Sequence, residues 1–215
     1  MRKYLAEGIG TFAIVFCGTG AIIINEQTGG IVGHMGISLT FGLIVMLMIN
    51  CFGSVSGAHF NPAVSLALAA NKKLKQSDLI LYILSQLIGA IAASAMLSGL
   101  FPNNTLLGAT LPAVSDGQSF CIEYIITFLL MLVILRVAKT KPEWKWMTSL
   151  SIGSMIALAA LFAGPICGAS MNPARSIGPA LISGNLDHIW LYIAGPILGA
   201  LSALGIEKLL DKTST

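Results

Sequence analysis

The tripeptide Asn-Pro-Ala occurs twice, as Asn61-Pro62-Ala63 and Asn172-Pro173-Ala174, and each copy opens a short apolar segment, 62–70 and 173–182. Asparagine is a strong helix N-cap, and proline suits the first helical position, where no backbone N–H is needed, so both tripeptides predict helix starts. At 1.5 Å per residue such helices reach about 15 Å, near half of a hydrocarbon core of roughly 30 Å. Neither can cross a bilayer alone. Six longer apolar stretches can: 4–24, 34–53, 79–100, 120–137, 147–166 and 189–206. Only 10% of the 215 residues are charged, against about 25% in an ordinary soluble domain, so lipid is the expected solvent. The fold class is therefore an all-α membrane protein, six transmembrane helices plus two re-entrant half-helices. Interrupted helix at membrane depth survives only inside protein or against a wet cavity, which implies a passage between the spans.

The two halves repeat each other. Gly57-Ala-His-Phe-Asn-Pro-Ala-Val-Ser65 aligns with Gly168-Ala-Ser-Met-Asn-Pro-Ala-Arg-Ser176 at an offset of 111, with six of nine positions identical. Upstream, Glu7-x-x-x-Thr11-Phe12 recurs as Glu123-x-x-x-Thr127-Phe128, and downstream Gly89-Ala90 recurs as Gly199-Ala200. One domain over 1–215 is expected, with repeat halves of about 1–105 and 115–215. Three spans per half make the repeat inverted, so each short segment dips in from its own face and the two meet at mid-membrane.

Eleven of the twelve cations fall in the N-terminus, the loop with Lys72, Lys73 and Lys75, the stretch 136–145 and the C-terminal tail, while the alternate loops carry Glu26, Asp116 and Asp187. The positive-inside rule then puts both termini in the cytoplasm, with the cell (inner) membrane as the expected location. Arg2 and Lys3 before an apolar stretch imitate a secretory signal, but Glu7 interrupts it and no cleavage site follows, so the segment is expected to remain as the first span. A net charge of +3 is too mild to imply nucleic acid. Cys17, Cys51, Cys121 and Cys167 form no CxxC pair and are expected to pack as free thiols; Cys167, five residues before Asn172, is the candidate for mercurial block. His34 and His188 are expected at the membrane interface. With no ligand pair one turn apart on a helix, no metal is expected, nor is any cofactor. Asn103-Asn104-Thr105 forms a glycosylation sequon, and Gly89, Gly99 and Gly199 suit close helix crossings.

A helix N-terminus carries roughly half a positive charge, and here two would face each other in a low-dielectric slab, repelling cations and protons. Each asparagine can donate an amide N–H to the lumen while its oxygen caps the helix. Gly57-Ala58-His59 and Gly168-Ala169-Ser170 are expected to be extended, with carbonyls lining the approaches as acceptors. Arg175, in the first turn of the second half-helix, is the one cation outside the cytoplasmic set, and a guanidinium at this depth normally faces a cavity or a partner. Glu7 and Glu123, buried carboxylates in repeat-related positions, could relay protons or hold structure. His59 could tune the cytoplasmic side of the passage or serve as a structural hydrogen-bonding group.

With these motifs the sequence resembles the aquaporin, or major intrinsic protein, family over essentially its whole length. The segment from Gly164 to Pro179 looks most like the nodulin-like plant branch and its bacterial relatives. The resemblance implies a passive channel for water and small neutral solutes that excludes protons and ions, assembled as a homotetramer in which each subunit has its own pore. It assigns Arg175 to an outward-side selectivity filter and, by family spacing, places Phe41, Ala160 and Ala169 in the same ring. Glu7 and Glu123 become supports of the re-entrant loops. Strict water channels carry histidine where Ala160 stands, so two alanines predict a wider filter. Small polyols such as glycerol, or metalloid hydroxides such as arsenous, boric and silicic acid, are then expected to pass. Glycerol facilitators usually have Asp after the arginine, where this chain has Ser176. A secondary active transporter also uses inverted repeats and broken helices and is the alternative. An intramembrane hydrolase built on Glu7 and Glu123 is the more distant one, since no nucleophile or metal set accompanies them.

Overall fold

Each long apolar stretch folds as one helix: α1 Arg2–Gln27, α2 Gly33–Ser56, α4 Gln76–Leu100, α5 Asp116–Val137, α6 Trp146–Cys167 and α8 Ile189–Lys212. The short ones are α3 Pro62–Ala70 and α7 Pro173–Ser183. The computed structural model describes residues 1–139 and 146–212; Lys141 and Lys145, counted above among the cations, lie outside them. Several helices overrun their apolar stretches by a turn or so, into residues such as Asn25, Glu26, Gln76 and Lys208 that water can serve. Among the described residues, six helices are long and apolar enough to cross a membrane. Their outward faces carry Ile80, Ile88, Leu158 and Phe162, each more than 60% exposed, a surface that suits lipid and not water.

The helices pair as α1 with α4, α5 with α8 and α2 with α6, the closest contacts running over glycine. A Cβ at Gly89 would lie 2.2 Å from the Gly8 carbonyl oxygen, and one at Gly199 the same distance from that of Tyr124. The α2 and α6 backbones touch at Gly42 and Gly153, where added Cβ atoms would stand 2.5 and 2.6 Å from the facing oxygens. Gly99 is different from the expectation: nothing lies within 4 Å of its Cβ position, because it sits at the C-terminal end of α4 beyond the crossing. Gly89→Ala is therefore expected to destabilise by about 1–3 kcal/mol, the cost of overpacking. Gly99→Ala is expected to stay within about 0.5 kcal/mol. Thermal unfolding in detergent distinguishes the two.

The half-helices exchange places. α3 packs against α8 and α4, and α7 against α4, α8 and α1, so each is seated largely on helices from the opposite half. Buried hydroxyls fold back on their own helices, Thr11 Oγ1 donating to the Glu7 carbonyl at 2.8 Å and Thr127 Oγ1 to the Glu123 carbonyl at 2.7 Å. That is the use of threonine four residues after each glutamate.

Polar staples close the helix ends. Lys3 Nζ and Tyr4 OH donate to Asp78 at 2.6 and 2.8 Å, joining α1 to α4. At the repeat-related end, His188 Nδ1 stands 3.0 Å from Asp116 Oδ1, so His188 is a partner of α5 as well as an interfacial group. At the far end of α5, Lys139 donates to Asp211 and Glu207, with Arg136 alongside. Those hydrogen bonds, Asp211 first, hold the Lys139 ammonium above its ordinary pKa. The thiols do not all pack inside as expected: Cys51 and Cys121 are exposed on the outer face, Cys17 is half-buried, and only Cys167 is buried.

Candidate functional site

The two capped helix starts meet. Asn61 Oδ1 accepts from the Ala63 backbone N–H at 2.9 Å, and Asn172 Oδ1 from that of Ala174 at 3.0 Å, with Pro62 and Pro173 next in each chain. Because each oxygen is held by its own cap, each amide nitrogen must point elsewhere. Asn61 Nδ2 donates to the Met171 carbonyl at 2.7 Å and Asn172 Nδ2 to the Phe60 carbonyl at 2.9 Å. Each cap thus ties itself to the residue preceding the other cap. One of the two N–H groups on each amide is used there, which leaves one per asparagine for the lumen.

The loops leading to the caps are not extended as expected. Asn61 and Asn172 themselves are, with φ of −153° and −149°. Before them the backbone turns left-handed at Gly57, Ala58 and Phe60, and in parallel at Gly168, Ala169 and Met171, with φ between 43° and 85°. For a residue with a Cβ this costs about 1–3 kcal/mol and persists only when neighbours impose it. The reason is that the chain must reverse and still present successive N–H groups to a buried carboxylate. Glu7 Oε1 accepts from Ser56 Oγ at 2.6 Å and the His59 N–H at 3.0 Å, while Oε2 accepts from the Phe60 N–H at 2.7 Å and Gln86 Nε2 at 2.8 Å. Glu123 repeats the pattern with the Ser170 and Met171 N–H groups at 2.7 and 2.8 Å and the Cys167 thiol at 3.3 Å. Both glutamates are 0% exposed.

Two cavities run along these loops. The inner one, about 290 Å³, is lined by Gly57, Ala58, His59, Asn61, Ser170 and Asn172 among others, and extends toward Lys73, Ala138 and Thr148. The outer one, about 440 Å³, is lined by Asn25, His34, Ser38, Gly164 and Gly168 among others. Four lining residues are common to both: Phe41, Ala160, Ala169 and Arg175. The lining common to both chambers is therefore one aromatic ring, one guanidinium and two methyl groups. Among the described residues no carboxylate lines either chamber, whereas Lys73 and Arg175 do.

Arg175 is 3% exposed, with its guanidinium carbon 5.0 Å from the centre of the Phe41 ring and Nη1 donating to the Gly108 carbonyl at 2.9 Å. Gly18 leaves room for Phe41: a Cβ there would lie 2.2 Å from its ring. Gly108 belongs to the 101–115 connection, a largely apolar segment whose one motif in the sequence is the 103–105 sequon. It folds inward. Thr110 Oγ1 donates to Ser176 Oγ at 2.8 Å, Ser176 Oγ also meets Ser170 Oγ at 2.6 Å, and the Ala113 N–H donates to the Ile166 carbonyl at 2.9 Å. Nothing in their residue types distinguishes Gln86, Ser56 and Gly108 in the sequence. The recurrence of the glutamate motif was the one available signal, and it pointed to the acceptor without naming its donors.

One further expectation changes. Cys167, the candidate for mercurial block, lines neither of these cavities, and its thiol is turned to Glu123. His34, expected at the membrane interface, also lines the outer chamber, with Nε2 2.7 Å from the Leu161 carbonyl oxygen. His59 lines the inner chamber, its Nδ1 3.1 Å from Ser65 Oγ and its ring centre 5.0 Å from that of Tyr82.

Comparison with known proteins agrees with this architecture. The sequence profile of the family described as major intrinsic protein matches residues 1–205. Aquaporin NIP1-3 of Oryza sativa subsp. japonica is 46% identical over 215 residues, covering 99% of this chain and 74% of its own. Nodulin-26 of Glycine max is 35% identical over 99% of this chain and 79% of its own. Among solved structures, the aquaglyceroporin from Plasmodium falciparum superimposes with a TM-score of 0.80 at 28% identity, covering 94% of this chain and 93% of that one.

Proposed function

Because this chain belongs to the major intrinsic protein family, we propose that its two chambers form one continuous passage gated for size and charge by the Phe41, Ala160, Ala169 and Arg175 ring. Membership makes it an integral multi-pass membrane protein, a channel for water and small solutes and not an enzyme. The reading beyond that is ours. The ring passes solutes larger than water: small polyols such as glycerol, or metalloid hydroxides such as arsenous, boric and silicic acid. One observation supports it, namely that of the four residues lining both chambers two have single methyl groups as side chains. Phe41 and the alanines supply an apolar wall for carbon or metalloid edges, and Arg175 donates to hydroxyl oxygens.

Charge exclusion is assigned to three groups. The N-termini of α3 and α7 put positive potential at mid-passage, Asn61 and Asn172 donate to a passing oxygen and so orient water away from a proton wire, and Arg175 repels cations at the ring. Carbonyls of Gly57, Ala58, His59, Gly168 and Ser170 serve as acceptors on the approaches. Glu7 and Glu123 act as supports and not as relays, since their oxygens are occupied by loop donors. We further propose a homotetramer with one pore per subunit, both termini in the cytoplasm and residence in the cell membrane.

The test is a stopped-flow permeability series in proteoliposomes over water, glycerol, urea, boric acid and arsenous acid. Facilitation of water together with at least one larger solute, independent of sodium and proton gradients, is expected; gradient dependence would favour a coupled transporter. Ala160→His fills the ring with an imidazole and is expected to cut glycerol flow about tenfold, a barrier change of about 1.4 kcal/mol, while water flow is retained. Unchanged selectivity in that variant would remove Ala160 from the filter.

A further inference from the structure

Resting on the filter reading above, we infer that Asn104 is a positioning residue for Arg175, acting from outside the passage through the turn that presents the Gly108 carbonyl. Asn104 Oδ1 accepts from the Leu107 N–H at 2.7 Å, and Nδ2 donates to Glu26 Oε2 at 2.7 Å. That bond holds the entry to the next turn, which the Ala109 N–H closes on the Leu106 carbonyl at 2.9 Å and which is left-handed at Leu107 and Gly108, with φ of 52° and 66°. Leu107 needs an outside partner to hold that conformation, because its Cβ disfavours it. Its side chain is buried with Ile23 and Leu97, and Gly108 sits so close to α1 that a Cβ would lie 2.8 Å from that of Thr19. The next carbonyl, that of Gly108, receives Arg175 Nη1 at 2.9 Å. Neither Asn104 nor Glu26 lines a chamber. A chain of contacts therefore runs from an exposed carboxylate at the end of α1, through one amide and one strained turn, to the guanidinium at the ring.

With the Gly108 carbonyl in place, the guanidinium is held against the loop wall. When the turn relaxes, Arg175 loses its only hydrogen bond among the described residues and swings toward lumen water, which narrows the ring. Large solutes suffer more than water.

The experiment compares the parent, Asn104→Ala, Asn104→Asp and the double variant Asn104→Asp with Glu26→Gln in proteoliposomes, reading the ratio of glycerol to water permeability by stopped flow and thermal unfolding in detergent. Asn104→Ala is expected to lower the ratio at least about threefold, as expected for one lost hydrogen bond in a positioning chain. Asn104→Asp keeps the acceptor for Leu107 but sets a carboxylate against Glu26 and is expected to lower it likewise. In the double variant the glutamine amide donates to the aspartate, reversing the hydrogen bond, and the ratio is expected to return to within about twofold of the parent. Thr105→Ala, which removes the sequon but no hydrogen bond, is expected to match the parent. An unchanged ratio in both single variants overturns the inference, as does a lowered ratio that the double variant fails to restore. If Asn104→Ala does not fold, the aspartate pair decides. Parent vesicles no more permeable than empty ones would instead overturn the channel reading itself, before any variant is compared.

Discussion

Glu7→Ala is expected to destabilise the fold by at least about 4 kcal/mol. The carboxylate receives four donors, Ser56 Oγ, the His59 and Phe60 N–H groups and Gln86 Nε2, all within 3.0 Å and away from solvent. Each buried donor left without an acceptor costs about 1–3 kcal/mol, and charge-assisted bonds stand at the upper end. The loss reaches the passage as well. Ala58 and Phe60 are held left-handed by this anchoring, and the Phe60 carbonyl is the acceptor for Asn172. Glu7→Gln retains one oxygen but turns an NH2 toward donors, so an intermediate loss is expected. Glu123→Ala, with three donors instead of four, is expected to lose less than Glu7→Ala. Thermal unfolding in detergent checks the order, and a loss below about 1 kcal/mol in Glu7→Ala would mean that water replaces the carboxylate.

Arg175→Ala is expected to raise cation or proton leak at least about tenfold. At 4 Å and an effective dielectric of about 20, two like charges repel by about 4 kcal/mol, and even a third of that corresponds to tenfold in rate. The guanidinium is well placed to act in this way, since it is common to both chambers and no carboxylate lines either one among the described residues. The N-termini of α3 and α7 remain in the variant and limit the leak. Ion flux in proteoliposomes under a potassium or proton gradient measures it. A variant as tight as the parent would assign exclusion to the half-helices alone. The same variant leaves the Gly108 carbonyl without its donor, so a wider ring and faster glycerol flow are expected alongside.

Much of the architecture could be read from residue order. Six apolar stretches of span length became six helices, and the two Asn-Pro-Ala copies became capped half-helices, α3 with the bounds expected and α7 one residue longer. Those signals are local: an apolar run, a cap and a proline act within a turn or two of themselves. The repeat offset carried the inverted architecture for the same reason, since it needs only the sequence compared with itself. Gly99 shows the limit. Its surroundings in the sequence resemble those of Gly89, yet only Gly89 lies where α1 crosses α4.

What the order of residues determined by itself was the inventory: six spans, two capped stubs facing opposite ways, two buried carboxylates and one arginine at depth. Only the tertiary structure decided which donors each carboxylate holds, that Cys167 turns to Glu123 and away from the lumen, and that the 101–115 connection folds inward to receive Arg175. These contacts join residues between 44 and 79 positions apart. Hydrogen bonds over such separations depend on how packed helices set angles and distances, and no local periodicity or cap encodes that geometry.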